Sequence, residues 1–516
     1  MASRVENSLR NVFAAWGGQA VSSISSFVVR AVFVATLAQE FVGLESLFSS
    51  LLTILTLADL GVGAAIVFSL YAPLAQGDKE TVKSLMRLFR RAYFIIGIVV
   101  IAVGALLAPN VKFFVGSDAP PIPHLELYFF CFVLNTGVSY FFSYKGSLIT
   151  ADQKSYVVYL IQYAFQALMG VFQIAVLLIT HDYLAFLACM IGSTLLQNIC
   201  IAVKADRMYP YLKEKDVRPL DKGILSDIKK NIAGLIMHKV ASVASTPVSN
   251  LVITNFVGLA TTSLYGNYLL VVNALTRIVD KVFDSIVASV GNLGAKESED
   301  RQYEVFQTAF FVNAVLYSTI SGGLFCSFNA FISLWVGESW CFPNYLVMLI
   351  VLVFFVKGMR CAAYAFTSAY GLFWLTKWKA VLEAVSLPLL AVALAGPFGM
   401  AGVLAASVIS SVLISAPYEA WAVYSHGFHR PLRNYFKRYA VYAAAGLGSI
   451  AVAFFLCELV QVPYLAAFFI KGLIGAAAPL LTYALFFGRT REFREFKGIV
   501  VRIVGKLKGK LCARGR

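Results

Sequence analysis

Between Tyr265 and Asn292 the chain reads YGNYLLVVNALTRIVDKVFDSIVASVGN, an apolar stretch long enough to cross a bilayer that still carries Arg277, Asp280, Lys281 and Asp284. On a helix, Asn273 and these four charges share an arc of roughly 100°. Val271, Leu275, Ile278, Val282, Phe283 and Ile286 occupy the rest of the cylinder. Each charge near the centre of a membrane helix costs about 2.5 to 3.5 kcal/mol on the insertion scale, so this stripe must face protein or water. Two chemistries fit the spacing. Arg277 can neutralise Asp280 or Asp284, and Lys281 can neutralise Asp284; alternatively Arg277, deeper in the span, meets an anion in a wet chamber.

Other charges in apolar runs extend the pattern: Arg30, Lys145, Lys239, Lys357, Arg360 and Lys471. Arg30 either snorkels to the interface or joins the chamber. Lys357 and Arg360 share a face and repel unless an anion or a carboxylate approaches; Glu126, Glu383 and Glu419 are the candidate carboxylates. Asp59 lies within the second apolar run, where Gly61 and Gly63 permit close backbone approach. Asp59, Asp280 and Asp284 are the candidates for binding a coupling proton or sodium ion, with structural pairing as the other reading. Pro247, between serine-rich turns, marks a bend that serves either as a gate hinge or as a fixed kink.

These residues need many spans to hold them. Of 516 residues, 59% are hydrophobic and 14% charged, and the mean hydropathy is +0.76. That composition excludes a soluble protein and predicts an all-α integral membrane protein. Breaks at charged or Pro/Gly-rich stretches predict about fourteen transmembrane helices, the second over 41–72 and the eleventh and twelfth over 379–395 and 399–424. One set of alternate connections holds 34 of the 43 lysines and arginines and the opposite set only Lys112, which predicts both termini in the cytoplasm. The first span is too long and too polar, with Arg30 and four serines, to be a removable signal peptide. The basic stretch Thr81–Arg91 is expected to lie on the anionic inner leaflet.

At an offset of 221 residues, Leu57–Gly61 aligns with Ile278–Val282, which predicts two repeated six-helix lobes. The expected organisation is an N-terminal lobe over 1–203, a cytoplasmic linker over 204–230, a C-terminal lobe over 231–424, two extra helices over 425–487 and a basic tail over 488–516. The net charge of +16 is spread over membrane connections, so nucleic acid is not an expected partner. Eight scattered cysteines form no C-x-x-C pair and read as small hydrophobes, with only Cys326 and Cys341 placed to approach one oxidising face. The chain has no phosphate-binding G-x-x-x-x-G-K-[ST], no H-E-x-x-H and no nucleophile constellation. No enzyme activity, metal or cofactor is therefore expected, and the energy for any transport would come from a proton or sodium gradient or from consumption of the product.

The run DLGVGAAIVFSLYAPLAQGDKETVKSLMRLFRRAYFIIG, from Asp59 to Gly97, and the run from Tyr265 to Ser298 resemble the second and eighth helices, with their following loops, of bacterial polysaccharide repeat-unit flippases. These belong to the multidrug, oligosaccharidyl-lipid and polysaccharide exporter superfamily. The resemblance implies a multi-pass protein of the bacterial cytoplasmic membrane. It implies a substrate that is an undecaprenyl-diphosphate-linked oligosaccharide for O-antigen, capsule or exopolysaccharide, and polysaccharide polymerase machinery and membrane lipids as partners. It assigns cavity roles to Arg30 and Arg277, and secondary ones to Lys239, Lys281, Lys357 and Arg360. The rival readings are a peptidoglycan-precursor flippase, a multidrug exporter with an acidic and aromatic cavity, a membrane polymerase, which would need a sizeable outer loop, and a scaffold.

Overall fold

A bilayer offers no water to backbone N–H and C=O groups, so apolar runs of this length satisfy them within helices. The computed structural model describes residues 4–501 apart from 60, 117–120, 215, 227, 230–231, 233–245, 295–297, 371, 373–374 and 461. Among the described residues there is no strand, and eleven helices are long and apolar enough to cross a membrane. The protein is multi-pass and all-helical. Its described residues pack as two units, Met1–Gly266 and Asn267–Arg516.

The first unit contains α1 (Arg4–Thr36), α2 (Gln39–Leu55), α3 (Val62–Gln76), α4 (Lys79–Leu107), α5 (Leu125–Ala151), α6 (Ser155–Thr180), α7 (Tyr183–Met208) and α8 (Thr246–Phe256). It also holds the first turns of α9 (Leu259–Gly294). Here α6 packs on α1 and α7, α5 lies against α4 and α7, and α8 lies against α2. The second apolar run is not one helix, as expected, but two. A 3-10 turn at Thr56–Asp59 and a left-handed Gly61 (φ +78°) separate α2 from α3. The aligned position in α9 is Val282, a β-branched residue that resists positive φ, and α9 runs through it unbroken.

The stretch Thr81–Arg91 also corrects an expectation. It is the first part of α4, which continues into the membrane as a single helix. Val82, Leu85, Met86 and Phe89 are buried with Ile66 and Leu70 of α3, Leu148 of α5 and Ile201 of α7. The apolar face thus meets protein rather than lipid, and Arg87, Arg90 and Arg91 stay exposed. Lys83 is held 2.6 Å from Glu80 and 2.7 Å from Glu214, which ties α4 to the connection after α7.

The second unit continues α9 and adds α10 (Glu299–Trp335), α11 (Asn344–Met359), α12 (Cys361–Ala369), α13 (Lys377–Ser410), α14 (Ala416–His426), α15 (Arg433–Glu458) and α16 (Tyr464–Phe487). α10 is its axis, in contact with α11, α12, α15 and α16. Aromatic residues fill one end: Phe306 meets Phe366 at 5.1 Å, Phe428 at 5.3 Å and Tyr424 at 5.6 Å between ring centres. The expected division near 395–399 appears as a sharp turn at Gly399 (φ +56°) within α13. The start of the basic tail folds back on this unit, with Arg491 between Glu304 and Glu495 and Arg438 paired with Glu492 at 2.6 Å.

Candidate functional site

Three members of the stripe on α9 have described side chains. Asn273, Arg277 and Asp280 are exposed, while Ala274, Val279 and Phe283 are buried. Arg277 Nε donates to the Asn273 carbonyl at 3.2 Å, and no ion pair includes Arg277 among the described residues. Its guanidinium therefore keeps its charge and most of its donors for another partner. The side chains of Lys281 and Asp284, and all of Lys239, lie outside the described residues.

The other intramembrane charges have different surroundings. Arg30 of α1 pairs with Glu45 of α2 at 2.9 Å, lies over the Phe33 ring at 5.6 Å and is only 12% exposed. One of its terminal nitrogens, Nη1, is buried without a partner. Lys145 of α5 donates to both Asp206 oxygens of α7 at 2.7 Å, which makes it a packing element of the first unit.

Asp59 occupies the break between α2 and α3. Its carboxylate accepts from the Gly63 N–H at 3.4 Å and from the Tyr93 hydroxyl, and Tyr140 stacks edge-on to Tyr93 at 5.4 Å. The two glycines are used differently. Gly61 supplies the positive φ, whereas Gly63 leaves room for the tyrosine: a Cβ there would sit 1.9 Å from Tyr93 Oη. Broken helices at membrane depth are tolerated where polar groups re-satisfy the backbone, as Asp59 does here. Nearby in the same unit, a cavity of about 290 Å3 has a polar wall of Ser143, Ser147, Thr150, Tyr159, Gln162 and Asn198. All are uncharged hydrogen-bonding groups.

Of the two expectations for Arg360, an anion or one of the carboxylates Glu126, Glu383 and Glu419, the structure shows the second, with Glu419 and Glu383 of its own unit. Arg360 Nε and Nη2 donate to Glu419 at 3.0 and 2.7 Å, and Nη1 donates to Ser411 at 2.9 Å. Lys379 reaches the same carboxylate at 2.7 Å and Glu383 at 3.4 Å. Glu419 is 1% exposed, so this network satisfies a buried carboxylate with two cations. Ser411 opens a π-helical turn, Ser411–Ser415, that links α13 to α14; such turns widen a helix where side chains must be re-aimed. Lys357 lies one turn before Arg360, part-buried and without an ion pair among the described residues. Lys379 and Glu45 carry no signal of their own in the sequence. Both partners lie too far along the chain for helical spacing to reveal them.

Pro247 is buried at the second position of α8, and the residues before Thr246, which a bend would involve, lie outside those described. The α8–α2 contact is polar at its centre. Asn250 Nδ2 donates to Ser50 Oγ of α2 at 3.0 Å, and on α8 the Thr254 hydroxyl also meets that of Thr262 of α9 at 2.9 Å.

No family model and no curated protein sequence matches this chain. Solved structures do. A structure of the lipid II flippase MurJ in an inward closed conformation superposes with a TM-score of 0.64 at 12% identity, covering 92% of this chain and 98% of that one. An inward-facing multidrug resistance MATE family transporter of the MOP superfamily gives 0.60 at 11% identity over 78% and 93%. A MATE in a bent conformation gives 0.52 at 13% identity over 85% and 98%. The chain has the fold of these membrane transporters. At such identities the likeness concerns the backbone, and the side chains described above are this protein's own.

Proposed function

We propose that this protein is a flippase for an anionic lipid-linked saccharide, specifically an undecaprenyl-diphosphate-linked oligosaccharide repeat unit, in the bacterial cytoplasmic membrane during surface polysaccharide assembly. The observation that carries this reading is Arg277: an exposed guanidinium with no carboxylate partner among the described residues, on a helix where Val279 and Phe283 are buried. A diphosphate accepts from guanidinium groups through charge-assisted hydrogen bonds and cannot cross hydrocarbon unpaired. A fold shared with a lipid II flippase and with MATE transporters supports movement of a molecule by alternating access. Asp59, held in a helix break by a tyrosine hydroxyl, is the leading candidate among Asp59, Asp280 and Asp284 for binding the coupling ion.

A second reading, a flippase for the peptidoglycan precursor, shares the diphosphate and is favoured by the MurJ superposition over nearly the whole of both chains. The test uses purified protein in vesicles carrying fluorescent polyprenyl-diphosphate saccharides, with translocation read by quenching of outward-facing label. Arg277→Ala is expected to slow translocation by roughly 10- to 100-fold, from about 1.5 to 3 kcal/mol for hydrogen bonds to a charged group. Arg277→Lys should be intermediate, and both variants should insert as the parent does. An unchanged rate in Arg277→Ala overturns the assignment. A preference for the peptidoglycan precursor over a repeat unit decides for the second reading.

A further inference from the structure

The last two helices hold a cavity that movement of a diphosphate does not use. α10 and α16 touch through glycines: a Cβ on Gly322 would meet the Gly475 carbonyl oxygen at 2.1 Å, and one on Gly475 would meet that of Gly322 at 2.3 Å. One turn beyond this contact the helices part around a cavity of about 410 Å3, a size suited to a small ligand or a headgroup. Phe325 and Phe454, stacked at 4.9 Å, form its apolar wall. Asn329, Glu338, Glu458 and Lys471 form the polar one.

Lys471 is part-buried within α16, and Glu458, which closes α15, is exposed at the rim. Both line this cavity, yet neither forms an ion pair among the described residues. A partly desolvated ammonium is satisfied by an anionic group of a ligand, and the exposed carboxylate at the rim of the same cavity is placed to take a cationic group of that ligand. The cavity lies where α10 ends and α16 begins, which is the depth of a membrane interface. The helix surfaces beside it, Phe455, Leu459, Leu465, Phe469 and Leu473, are exposed and apolar, as acyl chains require.

We propose that this cavity binds the headgroup of a zwitterionic phospholipid bearing a primary ammonium, phosphatidylethanolamine, with its phosphate on Lys471 and its ammonium toward Glu458. The primary ammonium donates hydrogen bonds that a trimethylammonium lacks, and phosphatidylglycerol brings no cation for Glu458. The proposal stands whichever molecule the protein transports.

The full chain in detergent is titrated separately with phosphatidylethanolamine, phosphatidylcholine and phosphatidylglycerol, and bound lipid is counted by native mass spectrometry. Phosphatidylethanolamine is expected to bind about tenfold more tightly than the other two, a factor that one charge-assisted hydrogen bond supplies. Glu458→Gln should remove that preference, Lys471→Leu should weaken binding of phosphatidylethanolamine about tenfold, and Lys471→Arg should retain it. Cys326 lines the same cavity, so phosphatidylethanolamine should slow its alkylation in the unmodified protein severalfold, a readout independent of any variant. Preference for phosphatidylglycerol unaffected by Glu458→Gln, absence of retained lipid, or an unchanged Cys326 alkylation rate would each overturn the proposal.

Discussion

At the scale of single residues, the membrane-embedded charges separate by whether they have partners. Arg360, Lys379, Glu383 and Glu419 neutralise one another inside the second unit, and removing one member leaves the others buried without compensation. Glu419→Ala is therefore expected to destabilise the protein by about 3 to 5 kcal/mol, the range for breaking a buried pair. Thermal unfolding in detergent should show the loss, and a melting temperature equal to the parent's would contradict the structural role of the network. Arg277, in contrast, should tolerate replacement with little loss of stability, because it is exposed and no ion pair among the described residues includes it. Asp78 gives a case with a pH dependence outside the membrane. Its carboxyl accepts from the Thr81 hydroxyl at 2.6 Å and the Thr81 N–H at 3.0 Å, and these bonds hold it below the usual carboxylate range. A lowered folded-state value means that this N-cap stabilises α4 above the unfolded value of about 3.9 and ceases to as acid titrates the folded carboxylate. The difference in melting temperature between the parent and Asp78→Ala should thus shrink below about pH 4; a difference that grows in acid would refute the cap.

At the scale of helices, glycine and proline decide which runs are continuous and which can touch. The α10–α16 contact at Gly322 and Gly475 is backbone against backbone, so a side chain there cannot be accommodated by a rotamer change. Gly322→Leu should separate the two helices and cost at least the 1 to 3 kcal/mol or so that overpacking usually costs, seen as a lowered melting temperature. A parent-like value would mean that the two helices are less tightly apposed than this. Much of this scale was legible beforehand. Hydrophobic runs located the eleven membrane-length helices among the described residues, where fourteen were expected, and the Gly61–Gly63 pair marked a close approach. Two features were not legible. The break at Thr56–Gly61 depends on Gly61 taking a positive φ, which composition alone does not require, and the apolar face of Thr81–Arg91 looks the same whether it meets lipid or protein. The ion pairs Arg30–Glu45 and Arg360–Glu419 depend on tertiary packing between helices, so sequence supplied both cations and a short set of carboxylates that includes Glu419, but neither Glu45 nor the pairing.

At the scale of the whole molecule, the fold is that of MurJ and MATE transporters, and the proposed transport requires segments that part and re-form. The α2–α8 seam is suited to this. It contains the Asn250–Ser50 hydrogen bond, so separating it exposes groups that water can satisfy. Joining Ser50→Cys to Asn250→Cys by a disulfide is expected to stop translocation, and reduction should restore it; full activity of the cross-linked protein would show that the seam does not move. The most direct test of the proposed function compares two substrates in vesicles of the unmodified protein: a polyprenyl-diphosphate saccharide and the same saccharide on an uncharged polyprenyl linkage. The diphosphate form should cross at least tenfold faster than the neutral one, in line with one or more charge-assisted hydrogen bonds at Arg277. Equal rates, or movement of neither, would contradict a cationic route for a lipid-borne diphosphate.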